Sequence, residues 1–114
     1  MQKEKVKVLF QPEIQDYFRE LAHILYEKEY FGFEESALKY VDDLFDDIED
    51  TLPHREKKAA PGYFDRYGEN MFYSVFKKNN RTQWYVFFNI GEYNKETIYL
   101  VQYVSNNHMV AHLL

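Results

Sequence analysis

The chain has 114 residues, the length of one domain, and its 46% apolar and 29% charged residues form an ordinary globular mixture. It has no cysteine, which excludes disulfides and thiolate metal sites. The net charge of −5 opposes general binding of polyanions, and it is uneven: residues 1–52 hold 6 basic and 14 acidic side chains. The first ten residues lack the apolar segment of a secretory signal, and the longest run among the apolar stretches, "WYVFF", cannot span a bilayer. We therefore expect a cytoplasmic protein with no membrane partner.

The first half predicts one strand and two helices. "KVKVLF" alternates polar and apolar residues, which is typical of a strand with one polar face. Pro12 suits the first turn of a helix that should run to about Lys28. Gly32 interrupts the pattern, and a second helix should end near Leu52, because the residue before Pro53 avoids helical geometry. The apolar stripes lie three and four residues apart: Ile14, Tyr17, Phe18, Leu21 and Leu25, then Ala37, Leu38, Val41, Leu44, Phe45 and Ile48.

The second half predicts a long connection and three strands. From Pro53 to Asn70 the periodicity disappears, and two prolines, two glycines and four lysines or arginines indicate an irregular segment. "MFYSVFKK", "TQWYVFFNI" and "TIYLVQYVS" follow, separated by the turns "NNR" and "GEYNKE". Adjacent strands joined by short turns are antiparallel. The predicted fold is α+β: a strand, a helical hairpin and a three-stranded meander, with both helices packed on one sheet face.

Alternation along the strands predicts which side chains meet the helices. The residues assigned to the core are Phe72, Phe76, Trp84, Val86, Phe88, Ile90, Ile98, Leu100 and Val104. The residues assigned outward include Met71, Tyr73, Val75, Lys77, Tyr85, Phe87, Tyr99, Val101, Tyr103 and Ser105. This places four tyrosines on one uncovered face, unless a bulge shifts the alternation.

The tyrosine face has two interpretations. Tyrosine favours strands and tolerates partial exposure, so the face can be purely structural. Exposed aromatic rings also stack on unpaired bases and are enriched in protein interfaces.

The two C-terminal histidines, His108 and His112, do not form a convincing metal pair. In a continued strand they would lie about 13 Å apart. In a helical turn they would stack on one face and could share a metal, but no third ligand accompanies them. One histidine acting in acid–base chemistry is more plausible, since its pKa is near neutrality, and two solvent-facing histidines are the simplest alternative.

The charged segments also have plain alternatives. "DDLFDDIED" could bind Mg²⁺, but its spacing is that of a solvated helix face. Seven basic residues could neutralise phosphates or only keep a loop and a hairpin soluble: Arg55, Lys57, Lys58, Arg66, Lys77, Lys78 and Arg81. The sequence lacks a Gly-rich phosphate loop, a G-x-S-x-G elbow and H-E-x-x-H, and we expect no cofactor and no metal.

"SALKYVDDLFDDIEDTLP" resembles the second helix of the RelE/ParE toxins of bacterial type II toxin–antitoxin (plasmid stabilisation) modules. "ENMFYSVFKK" is similar to their central strand, and "YVFFNI" and "YLVQYVS" to the remaining strands, so the likeness extends over residues 1–114 as a single domain. The resemblance implies a cognate antitoxin as partner. It also implies one of two targets: the ribosome with its mRNA, which RelE-like members cleave, or DNA gyrase, which ParE-like members inhibit.

The resemblance also suggests where activity would lie. An endoribonuclease would use His108, Arg66, Arg81 and Tyr103, with Lys77, Lys78, Tyr73 and Tyr85 contacting nucleic acid. His108 matches a position after the last strand where the family often has His-Arg, but Met109 follows it here. The family's central-strand arginine is replaced by Met71 or Phe72. Enzymatic activity and a homodimer therefore stay open, and the alternative is a non-catalytic module that binds a protein through the tyrosine face.

Overall fold

A computed structural model describes residues 5–78 and 82–106 and shows an α+β fold. The helices are α1 (Pro12–Glu27) and α2 (Glu34–Thr51). The strands are β1 (Lys5–Phe10), β2 (Lys58–Ala59), β3 (Phe72–Lys77), β4 (Gln83–Tyr93) and β5 (Glu96–Asn106). Short 3-10 helices occupy Leu52–His54 and Gly62–Arg66. No helix in these described ranges is long and apolar enough to cross a membrane.

Both helices begin and end close to their predicted bounds. Pro12 is at the start of α1, where its missing N–H costs nothing. The helix ends as Glu29 adopts a left-handed φ of 61°, and the Tyr30 N–H donates to the Leu25 carbonyl at 3.1 Å. α2 stops at Thr51, close to the predicted end at Leu52, but not for the expected reason: Leu52 keeps helical angles, and the chain continues through Pro53 as a 3-10 helix.

The sheet is mixed and has the order β1-β5-β4-β3-β2. β3, β4 and β5 are antiparallel neighbours, whereas β1 pairs in parallel with β5. Asn94 and Lys95 join β4 to β5 with φ of 49° and 64°, the conformation of a type I′ turn that suits the twist of a hairpin. The fifth strand, β2, lies in the connection that was predicted to be irregular, and the predicted "NNR" turn lies outside the described residues.

One face of the sheet packs against the helices and forms the main core. Helix residues Ile14, Phe18, Leu21, Val41, Leu44 and Ile48 meet strand residues Phe76, Trp84, Val86, Phe88, Val101 and Val104. Phe10 stacks on Phe45 with ring centroids 4.4 Å apart, which joins β1 to α2.

The predicted alternation of β5 is wrong at its N-terminal half. Phe87 pairs with Tyr103 but Phe88 pairs with Val101, so a bulge falls at Gln102. The extra residue reverses the faces before it. Tyr99 and Val101 turn to the helices, while Ile98 and Leu100, predicted for the core, turn to the other face.

Arg55 connects α2 to β3 through several contacts. Its guanidinium donates to the Asp47 carboxylate at 3.0 Å, to the Thr51 hydroxyl at 2.9 Å and to the Val75 carbonyl at 3.3 Å. It also lies 3.8 Å from the ring centroid of the buried Phe76.

We expect Arg55→Ala to lower the free energy of unfolding by about 1–2 kcal/mol, because it removes both packing and hydrogen bonds from a partly shielded site. Urea unfolding followed by the emission of the single tryptophan, Trp84, measures this change. Arg19→Ala is the control: its pair with Asp16 is 72% and 67% exposed, so its loss should cost less than about 0.5 kcal/mol. Equal effects of the two substitutions would contradict the role assigned to Arg55.

Candidate functional site

The sheet face opposite the helices was predicted to be uncovered. The structure shows instead that a second small core lies on it. Residues 60–70, which we call the covering segment, lie over the β3–β4–β5 half of this face. Phe64 is 1% exposed and stacks on Phe87 at 4.3 Å between ring centroids. Met71 and Tyr85 are buried beside them. The cluster excludes water from side chains that had been assigned to an open surface.

Backbone and amide contacts hold the covering segment in place. The Ala60 N–H donates to the Met71 carbonyl at 2.9 Å, and the Asn89 side-chain amide donates to the Glu69 carbonyl at 2.9 Å. Asn89 in turn accepts a hydrogen bond from the side chain of Gln102, the bulged residue. A Cβ at Gly68 would lie 2.8 Å from the Gln102 amide nitrogen, so a larger residue here would displace the end of the Gln102 side chain.

Tyr103 is at the centre of an aromatic group at one side of this core. Its ring stacks on Tyr67 with centroids 4.0 Å apart and an interplanar angle of 16°. Burial raises the pKa of Tyr103, a hydrogen bond with Ser105 opposes the rise, and the neighbouring Tyr67 adds to it. Tyr103 therefore keeps its proton at neutral pH and can donate a hydrogen bond, but it is a poor general base.

Arg66 supplies a positive charge next to exposed aromatic rings. Its guanidinium lies 4.0 Å from the Tyr63 ring centroid, and its Nε donates to the Tyr63 carbonyl at 3.1 Å. Tyr63 is 42% exposed and Tyr67 is 37% exposed. We call Tyr63, Arg66, Tyr67 and Tyr103 the tyrosine–arginine site. It combines flat apolar rings with one cation, a combination that stacks bases and attracts phosphate.

The structure brings some of the predicted site residues together and separates others. Arg66 contacts Tyr63 and Tyr103 stacks on Tyr67, and both pairs meet at Phe64, so Arg66 and Tyr103 belong to the same site. Sequence reasoning missed Tyr63 and Tyr67. A signal was present in "YFDRY", which places three aromatic residues around a basic one inside a polar connection. His108 and Arg81, the other residues assigned to catalysis, lie outside the described residues.

The predicted nucleic-acid contacts are spread over both faces. Tyr85 is buried and its hydroxyl donates to Gln83 Oε1 at 3.1 Å, while Tyr73 is half-buried with its ring 6.2 Å from that of Tyr85. Lys77 is exposed, and it follows Phe76, a residue of the helix-side core. Lys78 lies on the helix side, with its amine 5.5 Å from the Tyr40 ring centroid. The two lysines therefore cannot contact one phosphate group together.

No group of three or more histidine, aspartate or glutamate side chains comes together as a metal site within residues 5–78 and 82–106. The six acidic residues from Asp42 to Asp50 lie along α2, with Asp43 and Asp47 paired to Lys39 and Arg55.

Tyr17 of α1 gives the fold an alkaline pH dependence. Burial, reinforced by the charge that Tyr103 would carry, raises the pKa of Tyr17 from 10.0 to about 12. As pH rises through this range, the unfolded chain loses the proton first and the folded chain keeps it, so the free energy of unfolding falls.

We expect Tyr17→Phe to lose less stability than the native chain between about pH 9.5 and about pH 11.5, because its ring carries no titrating group. Urea midpoints at the two pH values measure the difference. Tyr26→Phe, which alters an exposed tyrosine of the same helix, should keep the native pH dependence. If the stability of Tyr17→Phe fell with pH as steeply as that of the native chain, burial of the Tyr17 phenol would not control the pH dependence.

Comparison of the chain with protein-family models, with curated proteins and with solved structures gives no significant match.

Proposed function

We propose that this chain is a toxin-like component of a bacterial type II toxin–antitoxin module, related in its layout to RelE/ParE toxins, and that it acts on translation. The element order supports the proposal: one strand, a helical hairpin on one sheet face, then three antiparallel strands, with the two-residue strand β2 added between them. This is the order that the resemblance of the second-helix and strand sequences implies.

The observation that carries the choice of target is the tyrosine–arginine site. Tyr63 exposes ring surface against the Arg66 guanidinium, and Tyr67, the next residue along the chain, also exposes ring surface, on the sheet face that the helices leave free. Stacking on an aromatic ring contributes about 1–3 kcal/mol per base and is independent of base identity. A site of this kind suits unpaired RNA bases and their phosphates, as an mRNA target requires.

The test is induced expression in a bacterial host, with and without the neighbouring open reading frame as candidate antitoxin. Growth arrest that the partner relieves supports the toxin assignment, and inhibition of a cell-free translation extract by purified protein supports the RNA target. Inhibition of gyrase supercoiling with unaffected translation would retain the toxin assignment and reject the RNA target. Harmless expression, together with unaffected translation in the extract and unaffected gyrase supercoiling, would overturn the proposal.

Salt dependence separates this proposal from a protein-binding module. Each phosphate contact releases about one counterion, so binding of a single-stranded RNA through the one cation of the site should weaken about two- to threefold between about 50 and 200 mM salt. A protein interface that buries mainly apolar rings should change little over that range. A flat salt response would favour the protein-binding alternative.

A further inference from the structure

A cavity lies on the helix side of the sheet, on the face opposite to the tyrosine–arginine site. It has a volume of about 420 Å³, within the range of small-molecule pockets. The end of α1, the α1–α2 connection, α2 and the adjoining ends of the strands enclose it. Its principal lining residues are Leu25, Tyr30, Phe31, Tyr40, Lys78 and Trp84.

Aromatic rings form the walls of this cavity. Phe31 and Tyr40 face each other with centroids 5.2 Å apart and a tilt of 54°. Trp84 is 1% exposed and forms part of the floor, where its indole N–H donates to the Tyr40 hydroxyl at 2.8 Å. These contacts fix the rings of Tyr40 and Trp84, so the cavity is formed before any ligand enters.

Thr82 and Asn106 also line the cavity, and two of its hydrogen-bond donors, Tyr40 and Lys78, lie against each other. The Tyr40 hydroxyl accepts the indole hydrogen and still has its own proton to donate. Burial raises the pKa of Tyr40, which keeps that proton in place at neutral pH. The Lys78 ammonium lies over the Tyr40 ring, and no carboxylate in the described part of the chain forms an ion pair with it. A cation without a carboxylate partner beside a phenol donor is suited to an anionic oxygen.

We propose that this cavity binds a small aromatic carboxylate, with the ring between Phe31 and Trp84 and the carboxylate at Lys78 and Tyr40. The aromatic walls match a flat apolar body, and the ammonium and the phenol proton are complementary to a carboxylate. The site is independent of the toxin proposal, since it uses none of the residues of the tyrosine–arginine site.

The experiment titrates the protein with 3-phenylpropionate and, as a neutral isostere, with 3-phenylpropionamide. Trp84 is the only tryptophan, so its emission reports on the cavity alone, and saturation-transfer NMR detects binding that leaves the emission unchanged. We expect saturable binding of the acid at least about tenfold tighter than that of the amide, since the amide loses the charge-assisted bond.

Three lysine variants decide the role of Lys78. Lys78→Met should weaken binding of the acid by about tenfold and leave binding of the amide unchanged. Lys78→Arg should bind the acid with most of the native affinity. Lys57→Met, which removes an exposed cation of the connection, should bind like the native protein. Circular dichroism and unliganded Trp84 emission establish that each variant is folded. Equal affinity for acid and amide, no saturable binding by either method, or native affinity in Lys78→Met would overturn the proposal.

Discussion

Replacing Phe64 by alanine is expected to lower the free energy of unfolding by about 3 kcal/mol, the lower end of the cost for a buried phenylalanine. Phe64 is 1% exposed and contacts Phe87, Tyr67 and Tyr103 through its ring. Within the covering segment, Phe64 is the one aromatic residue that is fully buried in the second small core. The lower end applies because the segment can settle partly into the space that the ring leaves.

Urea unfolding of the native protein and of Phe64→Ala measures this loss, with Phe33→Ala as the matched control. Phe33 is 70% exposed, so its truncation should change stability by less than about 0.5 kcal/mol. Amide exchange adds a local readout, because the Ala60 and Phe64 N–H groups should lose protection when the segment loosens. A loss in Phe64→Ala no larger than in Phe33→Ala would show that the covering segment adds nothing to the folded core.

The helices could be predicted from the sequence because their signals are repeated. Each apolar stripe has five or more members at helical spacing, and proline marks the start of α1. A single exception, such as the 48% exposed Leu38 in the α2 stripe, does not disturb a pattern with so many members.

The sequence could not predict which face of β5 meets the helices, because apolar residues occupy both faces of this strand. "TIYLVQYVS" places apolar or aromatic residues on either side, so alternation does not select a face. The choice depends on the bulge at Gln102, which pairing with β4 produces and which the local sequence does not encode. As a result Val104 and Tyr103 lie on the predicted faces, whereas Tyr99 and Leu100 do not.

The covering segment escaped prediction for a different reason. Phe64 is one apolar residue between polar neighbours, and a single anchor has no period. Its burial follows from a tertiary contact with Phe87, and the exposed positions of Tyr63 and Tyr67 follow from the 3-10 helix that contains Tyr63 and ends just before Tyr67. Half of the candidate site therefore depends on one long-range ring contact.

If the proposed function is right, Arg66→Ala should weaken inhibition of translation by about tenfold or more, because the site loses its charge-assisted contact with phosphate. Tyr67→Ala should weaken it by a similar factor through the loss of one stacking surface. Arg66 is exposed, so Arg66→Ala should change stability little, whereas Tyr67 stacks on Tyr103, so circular dichroism must first establish that Tyr67→Ala is folded. A dose–response curve in a cell-free translation extract gives the inhibitory concentration of each variant.

Arg19→Ala is the control, since it removes an exposed guanidinium from α1, on the other side of the sheet. The pattern across variants locates the RNA contact. Loss of inhibition in Arg66→Ala and Tyr67→Ala, with Arg19→Ala unchanged, places that contact at the tyrosine–arginine site. Native inhibition in Arg66→Ala would contradict the assignment even if Phe64→Ala were inactive, because Phe64→Ala alters stability while Arg66→Ala removes the proposed contact and leaves the buried Phe64 ring in place.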